Sequence, residues 1–222
     1  LILIRKLPLA NNAPRMLKCS LIIAGALALA GGNARADNTR PPNVVVIMAD
    51  DLGYADLGCQ GSPDVRSPHI DSLAKNGVRF TQGYVTAPQC GPSRAALLTG
   101  RYQNRFGFES NEFAYNPGLP RTEPLISNRM QELGYKTGYI GKWGVTSLKH
   151  SYPPQRGFDE SYWNQDGNRY FPDSPSVHNV QMYRGNNPVE LKEYSTDAFG
   201  REAVEFVERH ANQPYFLFVS FI

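Results

Sequence analysis

Two adjacent carboxylates, Asp50-Asp51, follow directly on the apolar run Asn43–Ala49 (NVVVIMA). Paired charges at the end of a buried strand repel each other and are costly to desolvate. A hard divalent cation offsets that cost through oxygen ligands. The same pair also suits an ordinary turn or helix cap. A second group is Cys90-Gly91-Pro92-Ser93-Arg94. Pro92 presets the first turn of a helix, which puts Cys90 where free backbone N–H groups and the helix dipole favour negative charge. Arg94 comes one turn later, on the same face as Cys90. A nucleophile, an arginine and a helix N-terminus together make a site for a tetrahedral anion. Lys142, in Gly141-Lys142-Trp143, stands just beyond a third apolar segment. Taken alone it reads as a surface lysine.

The elements that must position these groups alternate between strand and helix. Asn43–Ala49 reads as a strand buried on both faces of a parallel sheet. Ser67-Pro68 starts a helix over His69–Asn76, and Gly77 stops it. Val78–Val85 reads as the next strand, and Cys90–Thr99 as a helix. Residues 102–123 show no period and suggest a surface loop. Pro124 to Leu133 forms a short helix stopped by Gly134, and Lys136–Gly141 a short strand. Residues 151–192 are rich in Pro, Asn, Gly and Tyr, with short strands around Val180–Tyr183 and Val189–Leu191. Ser195 or Thr196 caps a helix with Phe199, Ala203, Phe206 and Val207 on one face. Tyr215–Ile222 is a buried strand. The pattern predicts an α/β layer fold with a mainly parallel sheet, and such folds bind ligands beyond the carboxyl ends of their strands. The loops after Ala49, Val85 and Ile140 are therefore the places where chemistry is expected.

Composition narrows the class. The 222 residues are 41% apolar, enough for a packed core, and 17 Pro with 20 Gly argue against a coiled coil. The net charge of +3 is concentrated at the front, where residues 1–36 hold five basic residues and no acidic one. The remainder carries 18 basic and 20 acidic residues, which removes the argument for nucleic-acid binding. Arg15 and Lys18, the apolar run Leu21–Ala30 and the small-x-small site Ala34-Arg35-Ala36 form a secretory signal pattern, with Met16 as the natural start. The run is too short for a stable membrane anchor. The expectation is a periplasmic or secreted protein whose mature part is residues 37–222. It keeps two cysteines, Cys59 and Cys90, and a disulfide between them competes with a chemical role for Cys90.

CGPSRAALLTGR, Cys90 to Arg101, resembles the cysteine-type sulfatase signature C-x-P-S-R-x-x-x-L-T-G-R at every fixed position. PPNVVVIMADDLGYADLGCQG, SPHIDSLAKNGVRFTQGY, GYIGKWG, PQRGFD and PYFLFVSFI are similar to further segments of that family, in the same order. The resemblance implies an alkaline-phosphatase-like α/β sandwich, its central sheet mainly parallel or mixed and flanked by helices. It also implies that Cys90 is oxidised to Cα-formylglycine by a maturation enzyme that reads C-x-P-x-R. One hydroxyl of the hydrated aldehyde attacks sulfur and the second expels sulfate, so the nucleophile carries its own exit step. Asp50, Asp51 and residue 90 would ligate Ca²⁺, Arg94 would hold the formylglycine hydroxylate, and Lys142 would contact the sulfate.

The implied substrates are sulfated carbohydrates or aryl sulfates, and the tract Ser161–Tyr183 reads either as a sugar-binding surface or as an ordinary loop. The Cys-x-Pro-Ser-Arg run argues against the related phosphatases, which use Ser or Thr nucleophiles. The family's usual G-K-W-H departs here to Gly144, and His150 and His178 are the nearest substitutes. Further family ligands lie beyond a strand like Tyr215–Ile222. The chain therefore reads as the N-terminal part of a catalytic domain with little turnover by itself. The alternative is a sulfatase homologue that binds sulfated glycans without catalysis, or an inactive fragment.

Overall fold

The computed structural model describes residues 40–111, 118–145, 148–165, 169–173 and 180–222. The export-signal reading of residues 1–36 and the candidate His178 lie outside the described residues. Six strands form one sheet: β1 (Val44–Met48), β2 (Lys136–Lys142), β3 (Glu160–Asn164), β4 (Met182–Arg184), β5 (Asn187–Val189) and β6 (Tyr215–Ser220). The order is β1-β6-β2-β3-β4-β5, so the last strand of the chain inserts between the first two. The first four strands in that order run parallel, and the β4–β5 hairpin closes one edge antiparallel. The parallel part is what the strand–helix alternation predicts, and the mixed sheet as a whole is what the family resemblance implies.

Alternation along each strand sorts the core onto two faces, as the two-residue repeat of a strand requires. Phe216 and Phe218 of β6 and Tyr139 of β2 pack on one side with Ala95 and Leu98 of α2 (Cys90–Thr99). α3 (Ile126–Glu132) lies on that side too, contributing Ile126 and Met130. Tyr215, Leu217, Val219 and Ile140 face the other side, against Phe199 and Phe206 of α4 (Ser195–Arg209). At about 1.5–3 kcal/mol for each fully buried large apolar side chain, these two layers hold the sheet rigid beneath its strand ends.

Several elements depart from the pattern reading. Among the described residues β1 has one neighbour, β6, and Ile47 is 53% exposed, so within this chain its apolar run does not mark burial on both faces. Residues 78–85 form no strand: Phe80 and Tyr84 stand open to solvent because no sheet neighbour accepts them. β3 is a strand that the Ser161–Tyr183 tract hid, and Trp163 within it is fully buried rather than part of a loop surface. α1 (Pro68–Asn76) forms where the Ser-Pro start places it, yet buries none of its residues. Cys59 and Cys90 are both free thiols, so the disulfide alternative does not hold.

Candidate active site at the strand ends

Register decides what meets at the carboxyl edge of the sheet. Met48 of β1 and Gly141 of β2 both pair with Ser220 of β6. Asp50, Ser220 and Lys142 therefore emerge side by side from three adjacent strands. Helix α2 crosses this edge with its N-terminus and lays Arg94, only 3% exposed, across all three. Arg94 Nη1 donates to Lys142 O at 2.9 Å and to Ser220 Oγ at 2.5 Å. Its Nη2 pairs with Asp50 Oδ1 at 3.1 Å, and Lys142 Nζ pairs with Asp50 Oδ2 at 2.5 Å. Tyr139 Oη also donates to Lys142 O at 2.5 Å, and burial pushes its phenol up to about 12, so it acts as a neutral donor.

Burial by itself would raise the Asp50 carboxyl. The Arg94 charge, with the hydrogen bond and charge of Lys142, outweighs it and holds Asp50 below the usual carboxylate range. Asp51 is exposed and takes a left-handed backbone, φ 51°, which turns the chain sharply at the strand end. The following loop is closed by Gly53 N donating to Asp56 Oδ2 at 2.7 Å.

Cys90 is the first residue of α2, and its thiol is partly buried. Asn111 Nδ2 donates to its Sγ at 3.3 Å. The departure at Gly144 has a steric cause. Its φ is +66°, and a Cβ there would stand 3.1 Å from Arg94 Cδ and 3.5 Å from Lys142 Cε. A histidine here would be strained by the left-handed backbone, and its Cβ would press on the Arg94 side chain. His150 is exposed in the 3₁₀ turn Lys149–Ser151, and it takes part in none of the site contacts described above. Cys59 is tied up elsewhere: its N–H donates to Asp71 Oδ1 at 2.7 Å, and burial together with Asp71 pushes its thiol up.

The structure thus brings Asp50, Arg94, Lys142 and Cys90 to one edge and leaves Asp51 on the solvent side. It adds Ser220, Tyr139 and Asn111, which pattern reading missed. A polar residue ending the apolar run FLFVS was a signal for Ser220; Asn111 sits in an aperiodic tract that offered none. Two adjacent carboxylates suit a hard cation in kind. Among the described residues, however, no three His, Cys, Asp or Glu side chains converge, and Asp50 spends its two oxygens on Arg94 and Lys142. Among the described residues, Arg94 Nε is buried without a hydrogen-bond partner.

A mixed sheet whose strand edge gathers Arg94, Lys142 and Asp50 beneath a helix N-terminus bearing a thiol defines the class as an α/β protein with its polar cluster at the carboxyl ends of the strands. The chain belongs to the Sulfatase family, whose model matches residues 42–222. It is 33% identical to mouse N-acetylgalactosamine-6-sulfatase over 223 residues, covering 89% of this chain and 42% of that protein. It is 48% identical to human arylsulfatase A over 136 residues, covering 60% of this chain and 26% of that protein. Among solved structures, Ps i-CgsB in complex with k-i-k-neocarrahexaose superposes with a TM-score of 0.72 at 38% identity, over 80% of this chain and 44% of that one. BT4656 in complex with D-glucosamine-2-N,6-O-disulfate superposes with a TM-score of 0.67 at 27% identity, over 82% of this chain and 34% of that one. The chain thus spans less than half the length of each relative. Among the described residues, no helix is long and apolar enough to cross a membrane.

Proposed function

We propose that the protein hydrolyses sulfate esters, with residue 90 as nucleophile. The observation that carries this reading is Arg94, buried beneath the helix N-terminus that bears Cys90 and joined to Asp50, Lys142 and Ser220 at once. Conversion of Cys90 to formylglycine would supply a geminal diol, one oxygen for attack on sulfur and one for expelling sulfate. Ca²⁺ held by Asp50, Asp51 and residue 90, with ligands supplied from outside the described set, would polarise a sulfate oxygen.

The chain's own residues do the rest. The α2 N-terminus presents backbone N–H groups to an anion. Arg94 holds a fixed positive charge under the nucleophile, with its fork set by Ser220 Oγ and Lys142 O. Lys142 is paired with Asp50 in the absence of substrate. On binding, its ammonium turns to the sulfate and neutralises charge that grows on the leaving oxygen. Tyr139 fixes the Lys142 backbone from below.

Sulfated carbohydrates are the substrate class we favour, because one relative is named an N-acetylgalactosamine-6-sulfatase and another is crystallised with D-glucosamine-2-N,6-O-disulfate. Aryl sulfates serve as convenient test substrates. The basic, apolar and small-residue order of positions 15–36 supports export to the periplasm or outside the cell, and a formylglycine-generating enzyme is the partner required for maturation. The test is co-expression with such an enzyme, followed by the intact mass of the peptide containing residue 90. Thiol-to-aldehyde conversion lowers that mass by about 18 Da, the difference between the atoms lost and gained in activating the nucleophile. A peptide that keeps its thiol mass in full overturns the assignment.

A further inference from the structure

Helix α2 has no N-cap bond from a side chain at its own cap position. Gln89, at that position, spends its Oε1 on the backbone N–H of Asn111, at 3.0 Å. The free N–H of Gly91 is satisfied from the same residue, twenty positions downstream: it donates to Asn111 Oδ1 at 3.0 Å. Gly91 leaves the space for this, since a Cβ there would stand 2.4 Å from Asn111 Oδ1 and 3.0 Å from Gly144 O. The backbone donor fixes the amide's orientation. Oδ1 must be the end that accepts, so Nδ2 is left as a donor, and it lies 3.3 Å from Cys90 Sγ.

We propose that Asn111 is a positioning residue for the nucleophile: one end of its amide caps α2, and the other holds an N–H donor on the reacting atom of residue 90. The proposal rests on the sulfatase reading for the reaction it serves. The division of labour follows from the contacts. Arg94 commits Nη1 to Lys142 O and Ser220 Oγ, and Nη2 to Asp50. Asn111 supplies a neutral donor directly at the residue-90 atom. A donor there selects one rotamer of residue 90 and supports negative charge on its sulfur, or on the oxygen that replaces it. Because the same amide caps the helix, the nucleophile and the dipole that favours its charged form are held by one side chain.

The test uses the unconverted protein, expressed without a maturation enzyme, so that it stands apart from the sulfatase assignment. Wild type, Asn111→Ala and Asn111→Asp are treated with iodoacetamide at neutral pH, and alkylation of Cys90 is followed by peptide mass, with Cys59 as internal reference. Asn111→Ala loses cap and donor without adding charge. Asn111→Asp keeps an acceptor for Gly91 N, loses the donor and sets a carboxylate charge beside Sγ, which slows the thiolate further. The expected result is a fall of about threefold or more in the Cys90-to-Cys59 rate ratio for both variants, the size of one ordinary hydrogen bond. Asn111→Asp is expected to melt above Asn111→Ala. A purely structural role would loosen α2 and raise the Cys90 rate instead. A ratio that holds or rises in Asn111→Ala, which adds no charge, overturns the proposal. An unconverted thiol in the co-expression experiment, with the ratio falling as expected, would sink the sulfatase reading and leave the donor contact standing.

Discussion

Replacing Arg94 should unfasten the carboxyl edge of the sheet. The side chain is 3% exposed and makes two hydrogen bonds through Nη1 and one ion pair through Nη2. Hydrogen bonds from a charged donor contribute about 1.5–3 kcal/mol each, and removing one partner of a buried pair costs about 3–5 kcal/mol. Asp50 keeps Lys142 as a partner, which puts Arg94→Ala near the lower end, about 3 kcal/mol. That is a large part of a total stability of about 5–15 kcal/mol. With a urea m-value of about 1.5–3 kcal/mol/M, the midpoint should fall by roughly 1–2 M. Arg94→Lys should land between the two, because an ammonium cannot span Asp50, Ser220 and Lys142 together. Urea titrations followed by tryptophan fluorescence read this directly, since Trp143 and Trp163 are both fully buried. A shift below about 0.3 M for Arg94→Ala would refute the view that this arginine ties three strand ends together.

Two further expectations concern the flanking structure. Gly144→His, which restores the residue most family members carry, should lower the thermal midpoint by several degrees. A left-handed φ costs a non-glycine residue about 1–2 kcal/mol, and the new Cβ crowds Arg94 as well; an unchanged melt would show that the turn is free to relax. Glu202 is 2% exposed and bonded by Arg184 at 2.8 and 2.6 Å. Burial raises its carboxyl, and the bonds and charges of Arg184 and Arg201 outweigh this and hold it low. Its stabilisation is therefore complete above the ordinary glutamate value of about 4.3 and is lost as pH falls through the lower folded value. Urea midpoints between pH 6 and 3 should fall less steeply for Glu202→Gln than for wild type, and parallel curves would count against the pair.

The sheet's centre was legible because Tyr215–Ser220 is an apolar run whose alternate residues each meet a core, and Lys136–Lys142 sends Tyr139 to one core and Ile140 to the other. β1 has the same apolar character but only one neighbour, and a run of Val and Ile does not say how many strands flank it. Residues 78–85 failed as a strand for the same reason, since β-branched and aromatic residues make a strand only where a partner edge is free to take them. β3 escaped notice because Glu-Ser-Tyr-Trp-Asn mixes polar and aromatic residues on both faces. In the site, the Asp50-Asp51 pair, Cys90 and Arg94 announce themselves by type and spacing, whereas Lys142 stands out only through the family resemblance. Ser220 and Asn111 do not: each acts across a long separation, 126 residues to Arg94 and 21 to Cys90, that no local pattern records.

The insertion of β6 between β1 and β2 also sets a clock. Arg94 is not locked until Ser220 arrives, 126 residues after it. At a synthesis rate of about 5–20 residues per second, the segment around Cys90 waits on the order of 6–25 s before its helix is pinned to a finished sheet. Until the central strand is made, β1 and β2 have no common neighbour to join them. The conversion of residue 90 proposed above would have that interval before the edge closes, and the order of strands along the chain determines its length.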